Sequence, residues 1–210
     1  MHDSVVKHKG QALKEPRQEI PHTPSNAEAK TITAVLRNNA ITVSTADEIE
    51  ELNARGYGTK QDKTLTLAYY EALYLQSKGI IEVKPEKTKK TLSFQNLLSG
   101  YKAIDPNAWA KYLIYRDLRS RGYVAREGFG LGTDFRVYER GEYGAATAKY
   151  LIYGIQEGQP VTIEELAQAL RYSHSQKKEL VLAVLNRRGE VVYYSLGQLT
   201  LKRKLEEETE

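Results

Sequence analysis

The sequence predicts a mixed α/β (α+β) protein in two parts: a small N-terminal α/β domain, then a C-terminal domain whose mixed sheet is flanked by helices. Three observations carry this. β-rich and helical runs alternate along the chain rather than segregating. A fresh helix start falls midway, at Asp105–Pro106, where aspartate is a favoured N-cap and proline suits the first helical position. Beyond it the order reads α-β-β-β-α-β-β, which fits a compact mixed sheet with helical cover.

The elements follow in chain order. Residues 1–28 hold Pro16, Pro21 and Pro24 among polar residues without periodicity and are expected to be a mobile tail. The N-terminal domain is expected over 29–105. It opens with "TITAVLRNNAITVS", a hairpin around Asn38–Asn39, residues that tolerate the positive φ of a tight turn. "ADEIEELNARGYG" is a short helix ending at Gly56. "TLTLAYYEALYLQSKGIIEV" reads as a longer helix, with Leu67, Tyr70, Leu73, Tyr74 and Ser77 at helical spacing, closed by Gly79 and followed by a strand from Ile80 to Val83. After the basic turn "KPEKTKK", "TLSFQNLLSGYK" is another helix. The C-terminal domain is expected over 106–204, with a frayed tail at 205–210. "NAWAKYLIYRDLRSRG" is a helix stopping at Gly122. "YVAREG", "TDFRVYER", "KYLIYGIQ", "ELVLAVLN" and "VVYYSL" are β-like. "VTIEELAQALRYSH" is a helix with Thr162 and Glu165 at capping-box spacing.

Composition bounds the function. The chain has 210 residues and no cysteine, which excludes a disulfide framework and thiolate metal sites. "MHDSVVKHKG" lacks the apolar segment of a signal peptide, and no apolar run approaches the roughly 18 residues that span a bilayer. A cytoplasmic location without membrane partners is the expectation. The net charge is +4, but residues 108–204 hold 16 Lys/Arg against 10 Asp/Glu while the remainder holds 15 against 17. A basic half suggests an anionic partner, and a solvated basic face is the plain alternative.

The residues go further than this pattern. "YLIYRDLRSRGYVAREGFGLGTDFRVYERG" resembles the core of the archaeal tRNA-splicing endonuclease family, also called tRNA-intron endonucleases. "EALYLQSKGIIEV", "KYLIYGIQEG", "LRYSHSQKKELVLAVL" and "GEVVYY" agree in order, so the likeness covers about residues 60–200. It implies an N-terminal α/β domain before a nuclease-like C-terminal domain, and a subunit of the complex that excises introns from precursor tRNA. The implied partners are precursor tRNA with bulge-helix-bulge-like splice sites and a related subunit in a homo- or hetero-oligomer.

The chemistry this implies uses the substrate's own nucleophile. A ribose 2′-hydroxyl attacks the adjacent phosphorus, leaving a 2′,3′-cyclic phosphate and a 5′-hydroxyl. A base takes the 2′ proton, an acid protonates the leaving oxygen, and a cation steadies the phosphoryl charge. No metal or other cofactor is required, and the sequence shows no histidine–carboxylate cluster at ligand spacing.

By resemblance, the base is Tyr138 of "DFRVYERG". A phenol of pKa near 10 needs neighbouring positive charge to act so, and Arg136, Arg140 and Lys178 are candidates to supply it. The cation is Lys178 of "HSQKK", aimed from a strand start, with Lys177 directed to the other face by alternation. The acid should be a histidine three residues before Tyr150, but that position holds Thr147, and an alignment shifted by one gives Ala148. No histidine lies between residues 23 and 173. His174 already belongs to the "HS" before the lysine and reads as a helix-terminal histidine favoured by the dipole. Arg171 matches an arginine that grips a bulged base, a common mode of RNA recognition, with Lys202 and Arg203 as candidates for its second partner. "EVVYYSL" resembles the family's dimerising strand. The loop before it, "NRRGE", is acidic in many relatives but basic here, through Arg187 and Arg188. Two roles stay open: a catalytic subunit with its acid replaced, or a structural subunit positioning a catalytic partner. A metal-dependent nuclease using Asp134 is a remote third, without a carboxylate–lysine motif behind it.

Overall fold

The first sheet begins with the expected hairpin. Strands β1 (Ile32–Arg37) and β2 (Ala40–Val43) pair antiparallel with Arg37 opposite Ala40. Asn38 and Asn39 take φ values of 46° and 63°, the left-handed backbone a two-residue I′ turn requires. Helix α1 (Ala46–Ala54) follows, and the chain turns out of it through Gly56 at φ 76°.

The long helix expected from Thr64 onward begins later. Thr64–Leu67 is strand β4, paired with β2 and with the short β3 (Thr59–Gln61). Leu65 and Leu67 are buried and alternate with threonines, a two-residue period that the four-residue run hid inside a helical pattern. Helix α2 (Tyr69–Ser77) starts only after Ala68, which is extended at ψ 154°. Strand β5 (Ile81–Pro85), close to the expected Ile80–Val83, pairs parallel with β1, giving the order β3-β4-β2-β1-β5. Helix α3 (Phe94–Lys102) is capped by the Ser93 hydroxyl, which accepts the Asn96 N–H at 3.2 Å.

Helix α4 (Ala108–Ser120) starts later than Asp105–Pro106 suggested. The Asp105 carboxylate accepts the Asn107 N–H at 2.8 Å in a turn before the helix, and also holds Lys111 Nζ at 2.7 Å. Strands β6 (Val124–Glu127), β7 (Phe135–Tyr138), β8 (Tyr150–Gln156), β9 (Glu179–Leu185) and β10 (Val191–Leu196) form the second sheet in the order β10-β9-β8-β7-β6. Its neighbours are antiparallel except β8 and β9, whose parallel pairing needs a crossover. Helix α5 (Ile163–Ser175) supplies it. Its capping box forms as read: Thr162 Oγ1 accepts the Glu165 N–H at 3.2 Å, and the Glu165 carboxylate accepts the Thr162 N–H at 2.9 Å.

These elements come from a computed structural model that describes residues 31–88, 90–130 and 132–197. The expected tails at 1–28 and 205–210, with Lys202 and Arg203, lie outside the described residues.

The two sheets share one core. Ile152 and Val181 face α4 within it, while Leu151 and Leu180 turn the other way, onto Ala169 of α5. Helix α2 is buried on nearly every side, as befits a helix lying between layers. Its Tyr70 meets Tyr115 of α4 at 4.8 Å and Phe135 of β7 edge-on at 5.1 Å, so the seam is aromatic. A buried charge pair also crosses it. Glu71 Oε1 lies 3.2 Å from Arg126 Nη1, with the two side chains 4 % and 11 % exposed. Burial pushes the Glu71 carboxyl up, against the pull of Arg126 and the N–H groups of Ala68 and Gly58. Those N–H groups donate to it at 2.9 Å and at 3.1–3.2 Å. Arg126 further donates to Gly56 O and Thr59 Oγ1, each at 3.1 Å.

Removing one partner of a buried pair strands the other. Arg126→Ala should therefore lower unfolding free energy by about 3–5 kcal/mol. Arg37→Ala, which breaks an exposed pair with Glu86 at 3.3 Å, should cost less than about 1 kcal/mol. Urea unfolding of both variants tests this, and equal losses would reject the seam's role.

Candidate functional site

Strand ends build the site. Strand β7 runs out at Tyr138, β8 begins at Tyr150 beside it, and β9 begins at Glu179 beside β8. Two backbone bonds tie the three together: the Lys149 N–H to Val137 O at 2.9 Å, and the Glu179 N–H to Lys149 O at 3.0 Å. One end of the sheet thus collects Tyr138, the 147–149 segment and Lys178.

Lys178 stands between α5 and β9, its N–H donating to Ser173 O at 2.9 Å. Its ammonium donates to the carbonyl oxygen of Ala148 at 2.6 Å, which holds it beside Thr147. Lys177 is not on the strand. It takes a left-handed φ of 53° in the turn out of α5, so the alternation argument does not apply to it.

Thr147 and Tyr138 line one hollow of about 690 Å³, with Asn53, Tyr143, Gly144, Ala145 and Ala146. Thr147 is exposed and Ala148 is buried, so of the two alignments only Thr147 presents its side chain to the hollow. Neither the Tyr138 hydroxyl nor the Thr147 hydroxyl has a hydrogen-bond partner among the described residues. Tyr138 is held by its ring: Tyr143 meets it edge-to-face at 5.0 Å and 85°, a favoured geometry for aromatic pairs.

The arginines expected to favour the phenolate are engaged elsewhere. Arg136 lies over Phe129 at 4.6 Å and Arg140 over Tyr123 at 5.0 Å. Lys178 is the candidate charge left at this end of the sheet. Arg171 is exposed on α5, outside the hollow, with no ion-pair partner among the described residues. His174 is exposed in the last turn of α5, as expected from its position. Asp134 sits at the opposite end of β7, where burial pushes its carboxyl up against the Gly154 N–H and Lys111. Among the described residues no cluster of three or more metal-ligating side chains is found, and no helix is long and apolar enough to cross a membrane.

Two lining residues escaped the sequence reading. Tyr143 stood in plain view, five residues past Tyr138 in a loop of small and charged residues. Asn53 carries no local signal, because it comes from α1 in the first half of the chain.

Comparison with known proteins gives the context. A family model described as tRNA intron endonuclease, catalytic C-terminal domain, matches residues 108–193, and its N-terminal counterpart matches 32–98. The chain is 41 % identical to the tRNA-splicing endonuclease of Methanococcus vannielii over 172 residues, 82 % of this chain and 97 % of that one. It is 37 % identical to that of Pyrococcus furiosus over 142 residues, 68 % and 81 % of the two chains.

The loop carrying Thr147 is closed by Glu139, which accepts from Lys149 Nζ and the Tyr150 hydroxyl, each at 2.8 Å. Those two bonds, Lys149 first, lower the Glu139 carboxyl below its ordinary 4.5. A lowered acid contributes stability that is full above that ordinary value and lost as pH falls through the folded value. The Lys149 amide, corrected for its intrinsic rate, should therefore exchange faster as pH falls from about 6 to about 3. Glu139→Gln should abolish most of that dependence, and an unchanged profile in the variant would assign it to other groups.

Proposed function

The chain belongs to the tRNA intron endonuclease family, and we propose that it is a subunit that cuts introns from precursor tRNA by metal-independent attack of a ribose 2′-hydroxyl. One observation carries the reading: Tyr138 and Thr147 line one hollow, and Lys178 is anchored at 2.6 Å to the carbonyl beside Thr147. In this mechanism Tyr138 takes the 2′ proton, a free hydroxyl being suited to reach it. Lys178 meets the charge growing on the phosphoryl oxygens. It has three N–H donors and spends one on Ala148. The proton for the leaving 5′ oxygen would come from position 147, and here a threonine hydroxyl is far too weak an acid at neutral pH. Arg171 holds a splayed base of the splice-site bulge from outside the hollow.

Thr147 gives a second reading its footing. The chain could serve as the structural member of a hetero-oligomer while a related partner supplies all cleavage. Arg187 and Arg188 support this. Both are exposed in the loop before β10, without ion-pair partners among the described residues, and suit a partner's acidic surface.

Cleavage of an intron-bearing precursor separates the readings. Loss of a general acid costs about 10²–10⁴ in rate, so the chain alone should cleave very slowly. In a catalytic subunit, Thr147→His should raise the single-turnover rate at least about tenfold, and Tyr138→Phe should erase the gain. A well-folded Thr147→His chain with no gain would decide for the structural role.

Any cleavage by the assembled complex should persist in excess chelator and leave a 2′,3′-cyclic phosphate. A 3′-hydroxyl product, or activity lost with chelator, would reject the 2′-hydroxyl route.

A further inference from the structure

The hollow at Tyr138 is larger than the chemistry at one phosphate requires, and two of its walls have no part in that chemistry. One wall is Tyr143. Its ring edge rests on the backbone turn at Gly56, so closely that a Cβ on Gly56 would come within 3.3 Å of it. The glycine, at φ 76°, lets the turn pack against this ring and, more tightly, against Val124, whose Cγ1 an added Cβ would meet at 2.6 Å. The other wall is Asn53, on the last turn of α1. Its carboxamide has no hydrogen-bond partner among the described residues, leaving both its donor and its acceptor unspent. Between them the floor is Gly144, Ala145 and Ala146, whose small side chains leave space that larger ones would fill. The volume of about 690 Å³ falls within the range of roughly 300–1,000 Å³ common to small-ligand sites.

We infer that this part of the hollow is a nucleobase subsite, in which Tyr143 stacks on the base of the nucleotide that supplies the attacking 2′-hydroxyl while Asn53 bonds to the edge of that base. The inference rests on the endonuclease reading. Its geometry follows from covalent structure. If the 2′-hydroxyl is at Tyr138 and the phosphate at Lys178, the base, bonded to the neighbouring ribose carbon, must lie on the side of Tyr138 away from Lys178. Tyr143 and Asn53 line the hollow with Tyr138, and Lys178 is not among its lining residues. An aromatic face takes any base, and an amide reads donors and acceptors on a base edge. The subsite is assembled from both halves of the chain, since Asn53 belongs to α1 and Tyr143 to the loop after β7. As a stack beside Tyr138, Tyr143 would also fix the angle at which the ribose meets the phenol.

The test uses the full chain and a bulge-helix-bulge RNA with 2-aminopurine at the nucleotide 5′ to the cleaved phosphate, since stacking quenches its fluorescence. Wild-type protein should quench the probe. Tyr143→Leu should lose most of the quenching and weaken binding by about five- to a hundredfold, while Tyr143→Phe, which keeps the ring, should retain both. Asn53→Ala, at a half-exposed helix end, should weaken binding to the aminopurine probe more than to a probe with unsubstituted purine. Quenching that survives Tyr143→Leu in a bulge-dependent complex overturns the subsite and leaves the endonuclease reading intact. A wild-type chain that binds the bulged RNA no better than plain duplex overturns both.

Discussion

The ion pair between Glu71 and Arg126 is the constraint from which the site's geometry descends. A carboxylate within a helix that is buried nearly all round is costly, and it is held here by three donors through four contacts: the Gly58 amide shared between both oxygens, the Ala68 amide and the Arg126 guanidinium. Such pairs contribute little net stability against an apolar replacement. What this one supplies is register. Glu71 bonds to Gly58, and Arg126 bonds to Gly56 and Thr59, so the turn between α1 and β3 is clamped to strand β6. That same turn sets Gly56 against Tyr143, and Tyr143 sets the ring of Tyr138. Arg119 adds a second clasp from α4, donating to Arg55 O at 2.9 Å while lying 4.0 Å over the Tyr57 ring. The N-terminal half is thereby part of the wall around the candidate base.

Strand order accounts for the other half of the site. An antiparallel step from β7 to β8 returns the chain to the end where Tyr138 stands. A parallel step from β8 to β9, made possible by α5, begins the next strand at that same end. Two neighbouring segments, at Tyr138 and 147–149, and a distant third at Lys178 therefore converge without any long reach by a side chain. Lys178 illustrates the benefit. It lies where the helix gives way to the strand, with its backbone fixed to Ser173 O and its ammonium to Ala148 O, so in the proposed mechanism a cation held at both ends would lose little freedom on meeting a phosphate.

Much of this was legible in the residues themselves. Asn38–Asn39, the Thr162–Glu165 box, and Gly56, Gly79 and Gly122 at helix ends act locally, so sequence reveals them. Tyr138, Thr147 and Lys178 were candidates from strings in the sequence, and the strand ends bring them to one end of the sheet. The failures share a cause in tertiary contact. Thr64–Leu67 is a strand because β2 and β3 flank it, although its leucines also suited a helical period. Asp105 bonds to Asn107 and Lys111 rather than capping the helix. Glu71 carries no local signal because its partner Arg126 comes from the other sheet, and Asn53 reaches the hollow beside Tyr143 only through the fold. Arg136 and Arg140 seemed natural neighbours for a phenolate, yet aromatic faces at Phe129 and Tyr123 claim them.

That last displacement sharpens the chemical problem at Tyr138. A phenol serves as a base only if something favours its anion, and with both arginines stacked elsewhere the proposed mechanism would need that charge from Lys178 or from a group brought to the site. Lys178 can act on the phenol and the phosphate together only when one substrate joins them, because its ammonium is turned toward Ala148 in the free chain. The site is therefore more a set of prepared strand ends than a finished acid–base pair. Its small-residue loop fits that description. "GAATA" gives little bulk to the hollow, so the space beside Tyr138 is open, and in the proposed mechanism the exposed Thr147 is the place where a proton donor is wanted.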